Sequence, residues 1–376
     1  MKVSRITLHS VSLDVGTNLT RYAADQSRSS IETLIVRLET DDGLVGWGES
    51  CSAPSYYLPE LPAATFGSAV HVAPLILNRD PRQVRCLYYE VSKALRGHGN
   101  SKAALDMALW DLAAKAVGLS LVDFWGGRVA QDMPVFAVIR IGPWTEMAGS
   151  LAEFRAQGYS RFQVKLAANS VLEDVNIIGH TLDFVEPHER VWFDPNRGWL
   201  VDDAIRVILA VKHLSPMIEN PCETYEECRV VAKRTGVPLM LDEIVDSTRR
   251  FVEATIDGVM DVASLKLNTF GGLSKLRVVC DLGVELGVPM RIENYGGTGI
   301  LLSAVTHLAQ TLPARYVFGL YDYVSPQSLS LVRNPLKVLA GRISVPIEAG
   351  PGLGVDVDET LLGKPVAEFS SVDSHA

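Results

Sequence analysis

Charged side chains end five short apolar segments in the middle of this chain, which read FQVKL, VWFDPN, MIENP, LMLDE and SLKLN. The segments recur at intervals of roughly 25 residues, about the length of one strand–helix–strand unit, so each is predicted to be a strand of one parallel barrel. The polar residues would then emerge at the rim where (β/α)8 barrels carry their active sites. These residues are Lys165, Asp194, Glu219, Asp242, Glu243 and Lys266.

Three of these residues are acids of the kind that bind metal ions. Asp194, Glu219 and Asp242 end three successive predicted strands, and three carboxylates in one place repel one another unless a cation compensates their charge. Hard oxygen donors favour Mg²⁺ over zinc or copper, and no His or Cys accompanies them on these strands. One such acid could equally pair with an arginine or cap a helix, but three in succession favour a shared Mg²⁺ ion.

Two lysines flank the three acids along the chain. Lys165 lies one predicted strand before them and Lys266 one strand after. A lysine at the end of an apolar run can simply extend into solvent, but strands two and six of a barrel face each other across its mouth. Burial and a nearby Mg²⁺ would lower the pKa of a lysine toward the range that a general base needs. Glu243 could hydrogen-bond to Lys266 and hold it in place.

This set of residues suits the removal of a proton next to a carboxylate. Such a proton is weakly acidic because its loss concentrates negative charge on the carboxylate oxygens, and a divalent ion there would stabilise the enediolate. If the β-carbon carries a leaving group, elimination follows and the reaction is a dehydration. If the opposite lysine returns a proton to the other face, the product is the epimer.

The segments before the predicted barrel have a different pattern. SRITLHSVSL and TLIVRLETDDGLVGWGES read as antiparallel strands, and Asp42-Gly43 between two alternating runs predicts a hairpin turn. In SKAALDMALWDLAAKAVG the apolar residues repeat at helical spacing. Strands followed by helices are typical of a compact α+β domain.

Strands and helices alternate from about Met133 onwards. Alternation alone would also permit an open doubly wound sheet, but polar residues end predicted strands two through seven, which favours a closed barrel. We therefore predict a modified (β/α)8 barrel of the (β/α)7β type, with residues 1–128 as an α+β capping domain, residues 129–333 as the barrel, and residues 334–376 packing back on the cap. The eight predicted strands are PVFAVIRI, RFQVKLA, VWFDPN, MIENP, PLMLDE, VASLKLN, PMRIEN and YVFGLY.

Composition limits the class of protein. A formal net charge of −9 without a block of Lys or Arg argues against a nucleic-acid partner, and no apolar stretch is long enough to span a membrane. The five cysteines lack metal or redox spacing, as in a reduced cytoplasmic protein. We expect a cytoplasmic homo-oligomeric enzyme acting on a small carboxylate or amino acid. A non-catalytic barrel would have little reason to keep both lysines and all three acids.

Four further motifs accompany the lysines and acids. They are the GLVGWGE hairpin, the A-x-x-D-x-A-x-W-D-L helix at 103–112, the WGG at 125–127 and the PGLG at 351–354. Over nearly its whole length the chain thus resembles the muconate-lactonizing subgroup of the enolase superfamily, which is related to mandelate racemase. Sites of this superfamily use a Lys or His base with Mg²⁺. The resemblance implies that Lys165 and Lys266 are the acid–base pair and that Asp194, Glu219 and Asp242 bind Mg²⁺.

Two departures from the subgroup pattern bear on the substrate. Gln163 stands two residues before Lys165, where many members have a second lysine. The Gln-x-Lys pattern, together with the segments IENPCETYEEC and LDEIVDS, is most similar to the branch of cis-3-hydroxyproline dehydratases and hydroxyproline-betaine epimerases. In that branch the seventh strand typically ends in acid-Asp-x-Trp-Gly-Gly-Asp, whereas residues 293–298 read ENYGGT. Tyr295 therefore offers a weaker cation–π face than the tryptophan would.

The resemblance implies dehydration of a hydroxylated, proline-like amino acid of the cis-3-hydroxyproline type. The first alternative is a racemase or epimerase of an amino acid or proline betaine, followed by a cycloisomerase or an acid-sugar dehydratase. Tyr56 and Tyr57 could close over the barrel from the cap. The residues expected to support the site or contact substrate are Gln163, Asn196, Glu243, Glu293, Tyr295 and Tyr56.

Overall fold

The computed structural model describes residues 1–14, 30–53, 55, 57, 61–166, 170–322 and 331–371, and these form two sheets. The smaller sheet is antiparallel, with the strand order β13-β1-β2-β3. The predicted hairpin joins β2 to β3, and its turn places Gly43 at φ +86°, a conformation that glycine adopts readily. The four strands are β1 (Val3–Asp14), β2 (Ser30–Thr40), β3 (Val45–Cys51) and β13 (Ala367–Ser370).

Helices cover one face of this sheet. The predicted long helix is α3, and its alanine and leucine side chains are buried against β2 and β3. A Cβ atom at Gly48 would lie 1.9 Å from the backbone oxygen of Ala104, so the glycines of the GLVGWGE hairpin allow the helix and the strand to come this close. The helices before the barrel are α1 (Pro62–Val72), α2 (Val84–Ala94), α3 (Gly99–Lys115) and α4 (Leu121–Phe124).

Eight parallel strands form a closed barrel. They pair in chain order, and β11 also pairs with β4, which closes the sheet. All eight predicted strands are confirmed, and the closed barrel is confirmed over the open sheet. The strands are β4 (Met133–Ile139), β5 (Arg161–Lys165), β6 (Arg190–Asp194), β7 (Ile218–Glu219), β8 (Leu239–Leu241), β9 (Val262–Lys266), β10 (Met290–Glu293) and β11 (Val317–Tyr321).

The barrel helices follow the predicted alternation. Each strand from β4 to β10 is followed by at least one α-helix, whereas after β11 the described residues contain only strands and a short 3-10 turn, as expected for a (β/α)7β barrel. A short strand, β12 (Arg342–Ile343), pairs antiparallel with β4. The helices are α5 (Trp144–Ala156), α6 (Val171–Phe184), α7 (Val201–Val211), α8 (Tyr225–Thr235), α9 (Thr248–Ile256), α10 (Leu267–Phe270), α11 (Leu273–Leu286) and α12 (Gly299–Gln310).

Buried acids of the cap fasten it to the barrel. Glu49 at the end of β3 accepts hydrogen bonds from the backbone N–H groups of Thr298 and Leu301, at the start of α12. Asp106 in α3 accepts the backbone N–H of Ser274, at the start of α11. Both acids satisfy N–H groups that a helix start leaves without partners. None of the helices in the described part of the chain is both long and apolar enough to cross a membrane.

Candidate active site

The barrel brings the predicted strand-end residues to one rim. Because the strands are parallel, the carboxyl ends of β5 to β10 lie at the same end of the barrel. Each charged residue there is at most 5% exposed. They are Lys165 at the end of β5, Asp194 at the end of β6, Glu219 at the end of β7, Asp242 directly after β8, Lys266 at the end of β9 and Glu293 at the end of β10.

A pocket of about 520 Å³, counting the space open to solvent, lies at this rim. Both lysines line it, together with aromatic rings from the barrel and one from the cap. A pocket with this mixture can hold a small ligand that carries charge and some apolar surface. Its lining residues are Tyr57, Phe136, Val138, Gln163, Lys165, Asp242, Lys266, Arg291, Glu293, Asn294, Tyr295 and Tyr321.

The two lysines approach the pocket from opposite sides. In the eight-stranded ring β5 and β9 are four strands apart in either direction. Lys165 Nζ lies 2.5 Å from Asp194 Oδ2 and donates to Asn196 Oδ1 at 2.9 Å. Lys266 Nζ contacts Asp242 Oδ1 and lies 3.2 Å from Glu293 Oε1. Each lysine is thus held beside a carboxylate of the neighbouring strand.

The surroundings of Lys266 differ from the prediction in two ways. Burial alone would lower the pKa of Lys266, but the charges of Asp242 and Glu293 outweigh burial, so that the protein groups raise its pKa. The predicted lowering therefore depends on the charge of Mg²⁺. The predicted hydrogen bond between Glu243 and Lys266 is not found among the described residues. Glu243 Oε1 accepts instead from Asn196 Nδ2 at 3.3 Å and lies 3.9 Å from Arg197 Nε. Glu293 is therefore the second carboxylate at Lys266.

The three candidate metal ligands have different electrostatic surroundings. Burial and the nearby charge of Glu219 raise the pKa of Asp194 to about 8. Burial works in the same direction on Asp242, but the charges of Lys266 and Arg291 prevail and lower the pKa of Asp242 to about 2. Glu219 Oε1 and Oε2 both accept hydrogen bonds from Arg291, at 2.5 and 2.9 Å.

Arg291 is a functional candidate that the sequence analysis missed. It is 1% exposed, and its guanidinium lies 5.2 Å from the ring centroid of Phe136 and 5.9 Å from that of Trp192. Residues two apart on a strand face the same side, so the pair Arg291 and Glu293 in MRIEN could have indicated an inward-facing cation. The sequence analysis assigned the compensating charge to a shared Mg²⁺ ion, whereas Arg291 and the two lysines supply part of it.

The remaining formal charge still suits one divalent cation. Five carboxylates at the ends of β6 to β10 face three buried cations and Arg197, which lies beside Glu243, so that one negative charge is left uncompensated. A bound carboxylate ligand would add a second. The donors are hard oxygens of the kind that Mg²⁺ prefers. As placed, these oxygens point to amine and guanidinium groups, and within the part of the chain that the structure describes, no three Asp, Glu, His or Cys side chains converge on one point. The residues fit Mg²⁺ in charge and donor type, provided that Arg291 and Lys266 release some of these oxygens.

The predicted supporting residues Gln163 and Asn196 lie among the acids. Gln163 Nε2 donates to Asp194 Oδ2 at 3.1 Å and to Glu219 Oε2 at 2.7 Å. Asn196 uses its backbone N–H to bond Asp194 Oδ1 at 2.8 Å, and its side chain lies between Lys165 and Glu243. Both residues therefore orient charged groups of the site through neutral hydrogen bonds.

Aromatic rings form one wall of the pocket. The ring centroid of Tyr295 lies 5.1 Å from Lys266 Nζ, and the Tyr295 hydroxyl is 2.9 Å from Thr269 Oγ1. Tyr57 reaches over from the cap, with its ring centroid 5.5 Å from that of Tyr295. Tyr56, the other predicted cap residue, lies outside the described residues. The structure thus brings together every described site residue predicted from the sequence, with Tyr57 of the cap among them, and it adds Arg291.

Known families and proteins match this chain over nearly its whole length. A family described as "Mandelate racemase / muconate lactonizing enzyme, N-terminal domain" matches residues 12–126, and one described as "Enolase C-terminal domain-like" matches residues 146–361. A cis-3-hydroxy-L-proline dehydratase of Roseibium aggregatum is 32% identical over 370 residues, covering 98% of this chain and 100% of that protein. An N-succinyl-L-Arg/Lys racemase of Bacillus cereus is 24% identical, covering 96% of this chain and 97% of the racemase.

A solved structure has the same fold throughout. It is an enolase-superfamily member from Roseovarius nubinhibens complexed with magnesium, with a TM-score of 0.92 and 30% identity, covering 98% of this chain and 99% of the other. Both family matches, the whole-length relatives and the closed barrel with its antiparallel cap agree. The chain therefore belongs to the mandelate racemase/muconate lactonizing enzyme family of the enolase superfamily, and it is an enzyme.

Proposed function

We propose that this enzyme uses Mg²⁺ to remove the α-proton of a hydroxylated, proline-like amino acid and eliminates water from it, with cis-3-hydroxyproline as the type of substrate. The observation that carries the proposal is the pair of buried lysines, Lys165 and Lys266, on opposite sides of one small pocket. The 32% identity to a cis-3-hydroxy-L-proline dehydratase over the whole chain supports this choice of substrate class.

Asp194, Glu219 and Asp242 would hold the Mg²⁺ ion. When bound, Mg²⁺ supplies positive charge at the substrate carboxylate, where negative charge accumulates as the α-proton leaves. Gln163 keeps Asp194 and Glu219 in fixed positions by bonding both. The role of the three acids is therefore to present their oxygens on one side of the pocket, next to both lysines.

The lysines divide the proton transfers between them. One lysine accepts the α-proton, and the electron pair of the broken C–H bond is delocalised into the substrate carboxylate. In the next step this electron pair forms a double bond to the β-carbon while the C–O bond there breaks, and the other lysine, as an ammonium group, donates a proton so that hydroxide leaves as water. The product is an enamine that tautomerises to an imine, and no oxidant or reductant is needed.

The stereochemistry of the substrate agrees with lysines on opposite faces. In cis-3-hydroxyproline the hydroxyl lies on the same ring face as the carboxylate, so the α-hydrogen lies on the opposite face. Loss of water is then an anti elimination, which needs a base on one face and an acid on the other. Lys165 and Lys266 meet this requirement because β5 and β9 lie across the barrel from each other. The trans isomer would place both departing groups on one face.

The aromatic wall suits a cationic ring nitrogen. Tyr57, Phe136, Tyr295 and Tyr321 all line the pocket, and the face of an aromatic ring attracts a cation within about 6 Å. A proline-like substrate carries a secondary ammonium group in its ring at neutral pH. The wall therefore supports an amino acid over an acid sugar, which has no positive charge.

Racemisation or epimerisation is the second candidate function, and the same two lysines favour it. If the substrate has no leaving group on the β-carbon, the lysine opposite the base can return a proton to the other face. The whole-length relative that is an N-succinyl-L-Arg/Lys racemase supports this alternative. The two candidate reactions share the removal of the α-proton and differ only in the step after it, so one experiment can separate them.

The experiment incubates the enzyme with Mg²⁺ in D₂O and monitors the α-hydrogen by NMR. The substrates are cis-3-hydroxy-L-proline, trans-3-hydroxy-L-proline and L-proline betaine, and the control is the double variant Lys165→Met/Lys266→Met. Loss of water from the cis isomer alone is the expected result. Deuterium at the α-carbon with inversion would favour the epimerase, and absence of exchange and elimination with every substrate would overturn the proposal.

A further inference from the structure

Glu219 is the most heavily hydrogen-bonded acid of the site. Arg291 Nη2 donates to Glu219 Oε1 at 2.5 Å and Arg291 Nη1 to Oε2 at 2.9 Å. Two neutral donors, Gln163 Nε2 and Trp192 Nε1, each reach Oε2 at 2.7 Å. Within the part of the chain that the structure describes, Arg291 is the one cationic side chain that forms an ion pair with Glu219.

The position of Arg291 is fixed on every side. Its Nε donates to Ser264 Oγ at 3.0 Å, and its Nη2 also donates to Glu293 Oε1 at 2.9 Å. The planar guanidinium lies near the rings of Phe136 and Trp192, which leave it little room to turn. Strand β10 is three strands from β7 in the ring, so the Arg291 side chain crosses the barrel interior to reach Glu219.

Gln163 approaches Glu219 from another strand without a charge. Its Nε2 contacts the same oxygen, Oε2, that Arg291 Nη1 contacts, and it also bonds Asp194. A lysine at position 163 would therefore place a positive charge beside Glu219 Oε2, the oxygen to which Arg291 Nη1 already donates. A basic side chain at position 163 or at position 291 would therefore place one positive charge beside Glu219.

We infer that Arg291 is the positioning residue of Glu219, and that its charge, opposite the neutral Gln163, sets the excess charge of the site at the value that one divalent cation balances. This inference rests on the proposed Mg²⁺ dependence. With Arg291 present the site has one uncompensated negative charge, and the substrate carboxylate adds a second. Removal of Arg291 adds one, and a lysine at position 163 removes one.

Four proteins form a charge series that tests the inference. Gln163→Lys lowers the excess negative charge by one, wild type and the double variant Arg291→Met/Gln163→Lys have the same charge, and Arg291→Met raises the excess by one. Methionine replaces arginine because it keeps an unbranched chain of similar length. Mg²⁺ affinity is measured by calorimetry, and melting temperatures are measured in EDTA and in saturating Mg²⁺.

The expected results track the charge. Arg291→Met melts below wild type in EDTA, because Glu219 and Glu293 lose their common cation, and it binds Mg²⁺ at least tenfold more tightly. Gln163→Lys binds Mg²⁺ at least tenfold more weakly. In the double variant, the decrease in melting temperature caused by Arg291→Met is reduced by at least half. Its Mg²⁺ affinity returns to within about threefold of wild type. A tenfold change in affinity corresponds to about 1.4 kcal/mol.

Arg161 provides a matched control. It is an arginine inside the same barrel, at the start of β5, and it donates to the backbone oxygens of Val317 and Phe318 instead of a carboxylate. Arg161→Met removes a half-buried guanidinium, so it should lower the melting temperature with and without Mg²⁺ by the same amount. Its Mg²⁺ affinity should equal that of wild type.

Three outcomes would overturn the inference. In the first, Arg291→Met and Gln163→Lys both weaken Mg²⁺ binding. In the second, the Mg²⁺ affinity and melting temperature of the double variant are no closer to those of wild type than the values of Arg291→Met are. In the third, Arg161→Met changes the Mg²⁺ affinity. If Arg291→Met does not fold, unchanged Mg²⁺ affinity in Gln163→Lys still overturns it. Wild type that binds no Mg²⁺ would overturn the proposed function, which is a distinct result.

Discussion

Tyr57 of the cap donates its hydroxyl hydrogen to Asp242 Oδ2 of the barrel at 3.2 Å. The two residues are 185 positions apart in the chain. The Tyr57 ring centroid also lies 5.8 Å from Lys266 Nζ, so the same residue contacts a candidate metal ligand and a candidate acid–base group. The cap is therefore part of the pocket wall, and the site is complete only when the cap lies on the barrel.

Replacing Tyr57 by phenylalanine tests this contact. Tyr57→Phe keeps the ring beside Tyr295 and Lys266 but removes the hydrogen bond to Asp242. Loss of this hydrogen bond lets the Asp242 carboxylate move away from its place beside Lys266, so we expect kcat/KM to fall about ten- to a hundredfold. Because a hydrogen bond to a charged group contributes about 1.5–3 kcal/mol to stability, the melting temperature should fall by about 2–4 °C. Steady-state kinetics with the substrate found in the D₂O experiment measure the effect. Tyr89→Phe, at an exposed cap tyrosine, should change neither quantity.

Replacing each lysine in turn tests which one is the base. General acid–base groups contribute about 10²–10⁴-fold, so Lys165→Met and Lys266→Met should each lose at least a hundredfold in turnover. The variant that lacks the base should also lose α-hydrogen exchange in D₂O, whereas the variant that lacks the acid should keep it. Circular dichroism checks that both fold, and the exposed Lys93→Met is the control. Full turnover in both variants would contradict the assignment.

Glu49 offers a test of how the cap is held. Its carboxylate accepts from Thr298 Oγ1 at 2.7 Å as well as from backbone N–H groups at the start of α12. In Glu49→Gln an amide N–H₂ group would face these donors, and a buried donor without an acceptor costs about 1–3 kcal/mol. We expect the free energy of unfolding to fall by about 2 kcal/mol, measured with urea. Glu39→Gln, in the neighbouring strand and partly exposed, should change it by less than about 0.5 kcal/mol.

His307 makes the stability of the fold depend on pH. Its Nδ1 accepts from the backbone N–H of Val122, and its Nε2 lies 3.2 Å from the backbone oxygen of Leu353, so the neutral ring is satisfied on both sides. Burial lowers the pKa of His307 to about 4; the hydrogen bond to the Leu353 carbonyl and the charge of Asp123 oppose this shift, and the charge of Arg128 adds to it. In the unfolded chain the His307 ring takes up a proton below about pH 6.5, whereas in the folded protein it does so only below about pH 4. The free energy of unfolding should therefore fall by up to about 3 kcal/mol as the pH falls from about 6.5 to 4.

Urea unfolding at pH 7.5 and pH 5 measures this effect. His307→Asn keeps an acceptor for Val122 but cannot titrate, so its free energy of unfolding should depend less on pH than that of wild type. Asp106 acts in the opposite direction, because burial raises its pKa to about 7 and stability from this acid falls as the pH rises from about 4 to 7. The comparison of variant with wild type is therefore the test. A variant with the wild-type pH dependence would contradict the prediction, and the exposed His213→Asn is the control.

The sequence by itself predicted the parts of this protein that depend on local pattern. Apolar runs ending in Lys165, Asp194 or Glu219 predicted strands, and the strand–helix alternation with polar strand ends predicted a closed barrel with its site at one rim. Both predictions hold because the side-chain period of a strand and the parallel arrangement of βα units fix which residues reach that rim.

Only the tertiary structure decided which charges meet. Arg291 and Glu219 are 72 positions apart and three strands apart in the ring, so no local pattern pairs them. The same holds for Tyr57 and Asp242, which meet only because the cap lies on the barrel. The pKa of Lys266 is raised mainly because Asp242 and Glu293 flank it. A strand pattern specifies the face of a side chain, whereas its partner depends on how distant strands pack across the barrel interior.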